Sequence, residues 1–378
     1  MGILIVDDNQ SNLFVIENIL KRAGYDNYLS LTSAKELFAY FQQKPPLPMQ
    51  ADIILMDIMM PEMDGIEACR RLQQIPHLKD IPVIFVTALE DSNKVVEALD
   101  AGGIDYVMKP INKTELLARI RVALRLKYEK DWHIERDEKI RNELDLSMKV
   151  QTSLLSEPVK KENLLLTASY LPAYKLAGDM YYWQKLDEDR YAAIQLDMMG
   201  HGISASLVCM FISSVLRDAI TSGSDPEYVM KELNRWMNSL NQRNQQIPYY
   251  FTAIYLVLDT KKKCIEYVNA GHPTGFALID SNEIKELASN TCAVGFFEEI
   301  QISKTVISYS DSVQLLLCTD GVEDSIEKYE ENGYEFLKEK ASVYWTETDN
   351  LQPIDHLLSK KQQANAEDDM CVVFIQAR

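Results

Sequence analysis

The chain has 378 residues, enough for two domains that each bury a sizeable core. Its 57 acidic against 39 basic residues leave a net charge of −18, which argues against nucleic-acid binding and against docking on an anionic membrane surface. Six cysteines without a CxxC pair, mostly inside apolar runs, read as reduced core residues of a cytoplasmic protein; no secretory pattern opens the chain, and no apolar stretch reads as long enough to span a bilayer.

Residues 3–110 alternate short apolar runs with helical segments such as NLFVIENILKRAG and GIEACRRLQQIP, which predicts an α/β domain built on a doubly wound parallel sheet. The runs end on chemistry: ILIVDDNQ on Asp7 and Asp8, IILMDIMMPEMDG on Asp57, IPVIFVTALE on Thr87, and DYVMKPIN on Lys109. In such a sheet the ligand crevice lies beyond the carboxyl ends of the strands, so Asp7, Asp8 and Asp57 are expected to meet there.

From about 123 to 155 the chain lacks glycine and proline and is dense in Glu, Lys, Arg and Leu, which favours one long helix. Ile140, Leu144, Met148, Gln151 and Leu154 keep a spacing of three to four, but His133–Lys139 is largely charged, so the spacing supports either coiled-coil dimerisation or a solvated spacer. Beyond Pro158 the pattern turns to strands (RYAAIQLD, YFTAIYLVLD, KCIEYVNA, SVQLLLCTD, MCVVFIQA) broken by helical stretches near 204–221 and 226–241. This predicts an antiparallel β-sandwich flanked by helices, an α+β domain.

Four aspartates in this second half stand at strand-like ends: Asp179 in AGDMYYW, Asp197 in QLDMMGHG, Asp320 in LLLCTDGVED and Asp368 in EDDMCVVF. They read as one site for hard divalent cations, Mn²⁺ or Mg²⁺. Two such ions can polarise a phosphoryl group and supply a hydroxide-like nucleophile at neutral pH, which implies hydrolysis of a phosphate ester.

Residues 1–122, by these motifs, resemble the receiver domain of two-component response regulators, and residues 160–378 resemble the metal-dependent PPM serine phosphatases of the sporulation and stress-response type, the SpoIIE and RsbU relatives; 123–159 is the helical linker. The receiver resemblance implies Asp57 as phosphoacceptor, Mg²⁺ held by Asp8, by Asp7 through water, by Asp57 and by the Met59 carbonyl, and a response carried by Thr87, Tyr106 and Lys109, with an upstream sensor histidine kinase as donor. The phosphatase resemblance implies two ions bridged by Asp197, with Asp179 and the Met198 carbonyl on one and Asp320 with Asp368 on the other, Asp369 orienting water unless it is itself the ligand. It further implies a phosphoserine anti-sigma-factor antagonist with a STAS domain as substrate, release of a stress sigma factor of the sigma-B kind as the outcome, and a homodimer. His201, beside Gly200, is either a general acid or, by the stronger reading, a turn residue, and His272 in NAGHP a turn residue lining the groove. Trp183, Met199 and Cys371 depart from the family pattern, but all four principal carboxylates persist. A binding module on a decayed scaffold, or a phosphatase of broader substrate range, are the alternatives.

Overall fold

The computed structural model describes residues 1–42, 50–88, 92–243, 248–330, 332–345 and 352–378. The chain divides into two compact units, Met1–Ile140 and Arg141–Arg378. In the first, β1 (Ile3–Val6), α1 (Gln10–Arg22), β2 (Tyr28–Leu31), α2 (Ala34–Phe41), β3 (Ile53–Met56), α3 (Gly65–Gln74), β4 (Val83–Thr87), α4 (Ser92–Asp100) and β5 (Asp105–Met108) alternate as expected. The strands form a parallel sheet of order β2-β1-β3-β4-β5. Leu4, Val6, Ile54, Met56 and Phe85 pack into one core, whereas Ile3, Ile5, Ile53, Leu55 and Ile84 pack into another on the opposite face. With both faces covered, β1, β3 and β4 are buried at every residue, and this is why they read as continuous apolar runs rather than alternating ones.

Helix α5 (Lys113–Thr152) runs 40 residues, beginning ten residues before the expected linker because nothing between 113 and 152 breaks it. The division between the two units falls inside this helix.

The second unit continues with β6 (Val159–Lys161), β7 (Leu164–Leu171), β8 (Met180–Lys185), β9 (Arg190–Met198), α6 (Ile203–Ser222), α7 (Pro226–Arg243), β10 (Phe251–Asp259), β11 (Cys264–Ala270), β12 (Gly275–Ile279), β13 (Glu283–Leu287), β14 (Thr305–Ser308), β15 (Val313–Cys318), α8 (Asp320–Glu327), α9 (Gly333–Ala341), α10 (Lys360–Ala364) and β16 (Met370–Ala377). Among the described residues two antiparallel sheets form, β14-β11-β10-β9-β8 and β13-β12-β15-β16-β7-β6. Ala193, Ile254 and Leu256 from the first meet Leu315, Leu317, Val373 and Ile375 from the second between the sheets. Helices α6 and α7 cover the outer face of the first sheet, and α8 and α9 that of the second.

One expectation fails. Helix α6 is 20 residues long and apolar enough to cross a membrane by length and composition. Its buried residues, among them Val208, Cys209, Ile212 and Leu216, pack with β9 and β10, as a core helix does.

Candidate functional site

In the first unit Asp7 follows β1, Asp57 follows β3, Thr87 ends β4 and Lys109 follows β5, so one end of the parallel sheet gathers them. Among the described residues, carboxylate oxygens of Asp7, Asp8 and Asp57 all come within 4.8 Å of one another. Lys109 Nζ lies 2.8 Å from Asp7 Oδ2 and 3.0 Å from Asp57 Oδ2. Asp7 is pinned further by Asn12 Nδ2, which donates to both its oxygens at 3.0 and 3.1 Å, and by the Asn9 N–H at 2.9 Å. Burial raises the Asp57 carboxyl above its ordinary range, against the opposing pull of Lys109 and the Met59 N–H. Asp8 is exposed and Thr87 buried, and the Lys109 N–H donates to the Thr87 carbonyl at 2.8 Å. Tyr106 is half-buried with the Arg119 guanidinium 5.7 Å from its ring centre. The Lys109–Pro110 bond is cis. Gly65 has a strict reason: a Cβ there would stand 2.1 Å from the Asp57 carbonyl oxygen, so only glycine lets α3 start against the end of β3.

The second set is built from two antiparallel strand pairs, one in each sheet. Asp179 stands just before β8 and Asp197 near the end of β9, where Met180 pairs with Leu196. Asp320 opens α8 just past β15, and Asp368 and Asp369 stand just before β16, where Cys318 pairs with Val372. A threonine ties the two sheets together at this end: Thr319 Oγ1 donates to Asp179 Oδ2 at 2.7 Å and accepts the Cys371 N–H at 2.9 Å.

These carboxylates repel one another in a desolvated place. Burial is the largest cause raising Asp179, Asp197 and Asp320; after burial, Asp179 is pushed up by Asp197, Asp197 by Asp320 and Asp368, and Asp320 by Asp368. Asp197 rises to about 8. No lysine or arginine enters among the leading influences, whereas Lys109 neutralises the first set. The four are less tightly gathered than Asp7, Asp8 and Asp57, and their donors are all oxygen, the chemistry hard divalent ions take.

Asp368 and Asp369 divide the work. Asp369 is buried, and its two oxygens accept the backbone N–H groups of Ala173 and Gly178, each at 2.8 Å. Asp368 is exposed and accepts only the Asp369 N–H, at 2.8 Å, among the described hydrogen bonds. The open carboxylate is therefore that of Asp368, and Asp369 clamps the loop that leads to Asp179. Glycines permit the close approach: a Cβ on Gly178 would lie 3.0 Å from the Met198 carbonyl oxygen, and one on Gly321 would lie 2.1 Å from the Asp369 carbonyl oxygen.

His201 follows Gly200, which takes a φ of 81°, and its ring stacks on Tyr174 with centres 4.9 Å apart. Burial raises the Asp369 carboxyl above its ordinary range, against the opposing pull of the Ala173 and Gly178 N–H groups. His272 is buried with Nδ1 2.9 Å from Thr252 Oγ1, so it holds a turn inside the unit instead of facing an open groove. Trp183 is a core anchor, its indole N–H donating to the Glu157 carbonyl at 2.9 Å, and does not stand in for an acid at the site. The sequence placed Gln151 on the helix stripe offered for dimerisation, whereas its buried amide donates to the Ala177 carbonyl at 2.7 Å and accepts the Ala177 N–H at 3.2 Å. Its signal was a polar residue at an apolar helical position. Asn12 and Thr319 were missed; each is a small polar residue beside a carboxylate motif.

Comparison with known proteins gives the family. Residues 187–378 match the family described as Stage II sporulation protein E (SpoIIE), and residues 3–121 match the response regulator receiver domain. Phosphoserine phosphatase RsbP of Bacillus subtilis is 33% identical over 247 residues, 63% of this chain and 58% of RsbP. The transcriptional regulatory protein SpaR of Bacillus subtilis is 38% identical over 124 residues, 32% of this chain and 51% of SpaR. The chain thus spans between half and two thirds of the length of these relatives. The solved PP2C phosphatase domain of SpoIIE from Bacillus subtilis, with a fragment of its regulatory domain, aligns over 57% of this chain and 64% of that one at 21% identity, with a TM-score of 0.48. Since the SpoIIE match takes in just over half of its residues, the chain belongs to the SpoIIE family, and it carries a response regulator receiver domain ahead of its PP2C-like domain.

Proposed function

We propose that this chain is a metal-dependent phosphoserine phosphatase whose output is set by phosphorylation of Asp57. The observation that carries this reading is the set Asp179, Asp197, Asp320 and Asp368, of which Asp179 is buried and Asp197 half-buried, and which repel one another without a basic side chain among their leading influences. Such a set is costly unless cations neutralise it. Asp197 would bridge two ions, Asp179 and the Met198 carbonyl serving one and Asp320 with Asp368 the other, while Asp369 and Thr319 keep the ligands in register. Bound there, Mn²⁺ or Mg²⁺ would polarise the phosphoryl group and supply the hydrolytic nucleophile. His201, stacked on Tyr174, would hold the turn that follows Asp197.

In the receiver, Asp57 would accept a phosphoryl group from a sensor histidine kinase, with Mg²⁺ held by Asp8, Asp7, Asp57 and the Met59 carbonyl. Lys109 and Thr87 would then hold the phosphoryl oxygens, and Tyr106 would follow Thr87. The message has a covalent path, since α5 runs unbroken from the receiver's last helix to Gln151, whose amide grips Ala177 two residues before Asp179. The same helix would serve a homodimer. Kinship with a phosphoserine phosphatase supports the substrate class, and a phosphorylated STAS-domain antagonist of an anti-sigma factor is the substrate we assign, with activation of a stress sigma factor as the consequence. The test is Mn²⁺-dependent phosphate release from such a phosphoserine protein by the full chain, with and without beryllofluoride on Asp57. Stimulated release supports the reading. No release in either state, with a generic aryl phosphate also untouched, overturns it.

A further inference from the structure

His272 is 3% exposed, and the chemistry proposed above leaves it unused. Its turn is firmly built: the His272 N–H donates to Asn269 Oδ1 at 2.9 Å, and Asn269 Nδ2 donates to the Leu287 carbonyl at 2.9 Å. Gly271 takes a φ of 69° within it. Of the two ring nitrogens, Nδ1 lies 2.9 Å from Thr252 Oγ1, and the buried Nε2 has no hydrogen-bond partner among the described residues. Burial lowers the imidazole to about 3 and keeps it neutral, with a single ring proton. A buried donor without a partner is a rarer and worse fault than an acceptor without one, so the proton belongs on Nδ1 and is donated to Thr252 Oγ1. The Thr252 hydroxyl, its oxygen engaged by the ring, then has its own proton to give elsewhere.

What stands next to it is a carboxylate. In the β9–β10 ladder Thr252 is paired directly with Asp197, and residues opposed in this way project from the same face with Cβ atoms about 4.5–5.5 Å apart. The His272 ring, the Thr252 hydroxyl it engages and the Asp197 carboxylate paired with Thr252 thus stand in sequence. We propose that His272 and Thr252 are a positioning pair that directs the Thr252 hydroxyl proton onto Asp197, holding that carboxylate in the orientation a divalent cation needs. The inference rests on the metal reading of Asp197. Hydrogen bonds of this kind, made by groups behind a metal ligand, are typically worth about 10- to 100-fold in metal affinity.

The experiment uses the full-length chain and reads metal binding as well as turnover. Mn²⁺ affinity is measured by titration calorimetry for the wild type, Thr252→Val, Thr252→Ser, His272→Phe, the Thr252→Val/His272→Phe double variant and Asp197→Asn, with thermal melts to check folding. Long-range ¹H–¹⁵N spectra of the imidazoles report the His272 tautomer in the wild type. The proposal expects a proton on Nδ1, Mn²⁺ binding weakened about 10- to 100-fold by Thr252→Val and restored by Thr252→Ser, and a double variant no worse than the poorer single one. A folded Thr252→Val chain that binds Mn²⁺ like the wild type overturns the pair while leaving the metal reading intact, provided Asp197→Asn has lost binding. A wild-type chain that binds no Mn²⁺ overturns both. If Thr252→Val does not fold, a proton found on Nε2 overturns the pair by itself.

Discussion

Replacing Asp197 with asparagine should make the metal-free protein more stable while removing its response to Mn²⁺. The Asp197 carboxyl titrates at 3.8 in an unstructured chain and at about 8 in the folded one, raised first by burial and then by Asp320 and Asp368. The folded state therefore holds this proton longer, so the contribution to stability is whole below about pH 4 and is lost as pH climbs to about 8. At pH 7 the difference from 3.8 is 3.2 units, equivalent to about 4 kcal/mol favouring the unfolded chain. Asp179 shares the same repulsion and is hydrogen-bonded to Asp197, so one asparagine recovers about half, about 2 kcal/mol. For a unit of this size that is a rise in Tm of about 4–8 °C. At pH 5 the difference is only 1.2 units, and the gain should shrink accordingly. Calorimetric scans of both chains in chelator at pH 5 and pH 7.5 measure this directly. Added Mn²⁺ at a hundredfold excess over Kd should then raise the wild type by about 2.7 kcal/mol per site and leave the variant behind. An asparagine variant that melts at or below the wild type in chelator at pH 7.5, or a gain equally large at pH 5, would refute the electrostatic argument.

Gln151→Ala leaves both backbone groups of Ala177 without their partner, at about 1–3 kcal/mol for each unpaired group, and should weaken Mn²⁺ binding by loosening the turn before Asp179; unchanged affinity in a titration would dissociate the helix end from the site. Gly321→Ala sets a methyl group 2.1 Å from the Asp369 carbonyl oxygen, so α8 must shift at about 1–3 kcal/mol, and a variant with wild-type Tm and wild-type Mn²⁺ affinity would show that this contact does not hold Asp320 in place. Lys109→Met strands two buried carboxylates, Asp7 and Asp57, and should destabilise the receiver by about 3 kcal/mol at neutral pH, with Mg²⁺ recovering part of the loss; a melt insensitive to Mg²⁺ would count against the three-carboxylate site. Asp57→Asn should abolish stimulation of phosphate release by beryllofluoride, and persistent stimulation would place the acceptor elsewhere.

How far these sites could be read in the sequence follows from how each part is held. Strands β1, β3, β4 and β16 are buried at every residue, so they stand out as unbroken apolar runs, and a carboxylate at the end of such a run is conspicuous. Edge strands β13 and β14 have mixed, largely exposed positions and lengths of five and four residues, and carry no comparable pattern. The aspartates were legible for the same reason as the strands. Their supports were not: Thr319 reaches Asp179 across 140 residues of sequence and Gln151 reaches Ala177 across 26, contacts that exist only once both sheets and the helix end are in place. Asp368 and Asp369 are chemically identical neighbours, and nothing in the order EDDM separates them. The separation comes from the loop, because the Ala173 and Gly178 N–H groups occupy both oxygens of Asp369 and leave Asp368 open. The neutral groups behind a carboxylate, backbone or side chain, therefore decide how it can serve a cation, and substitutions at Gln151, Thr319 or Thr252 should alter metal affinity without removing a single ligand.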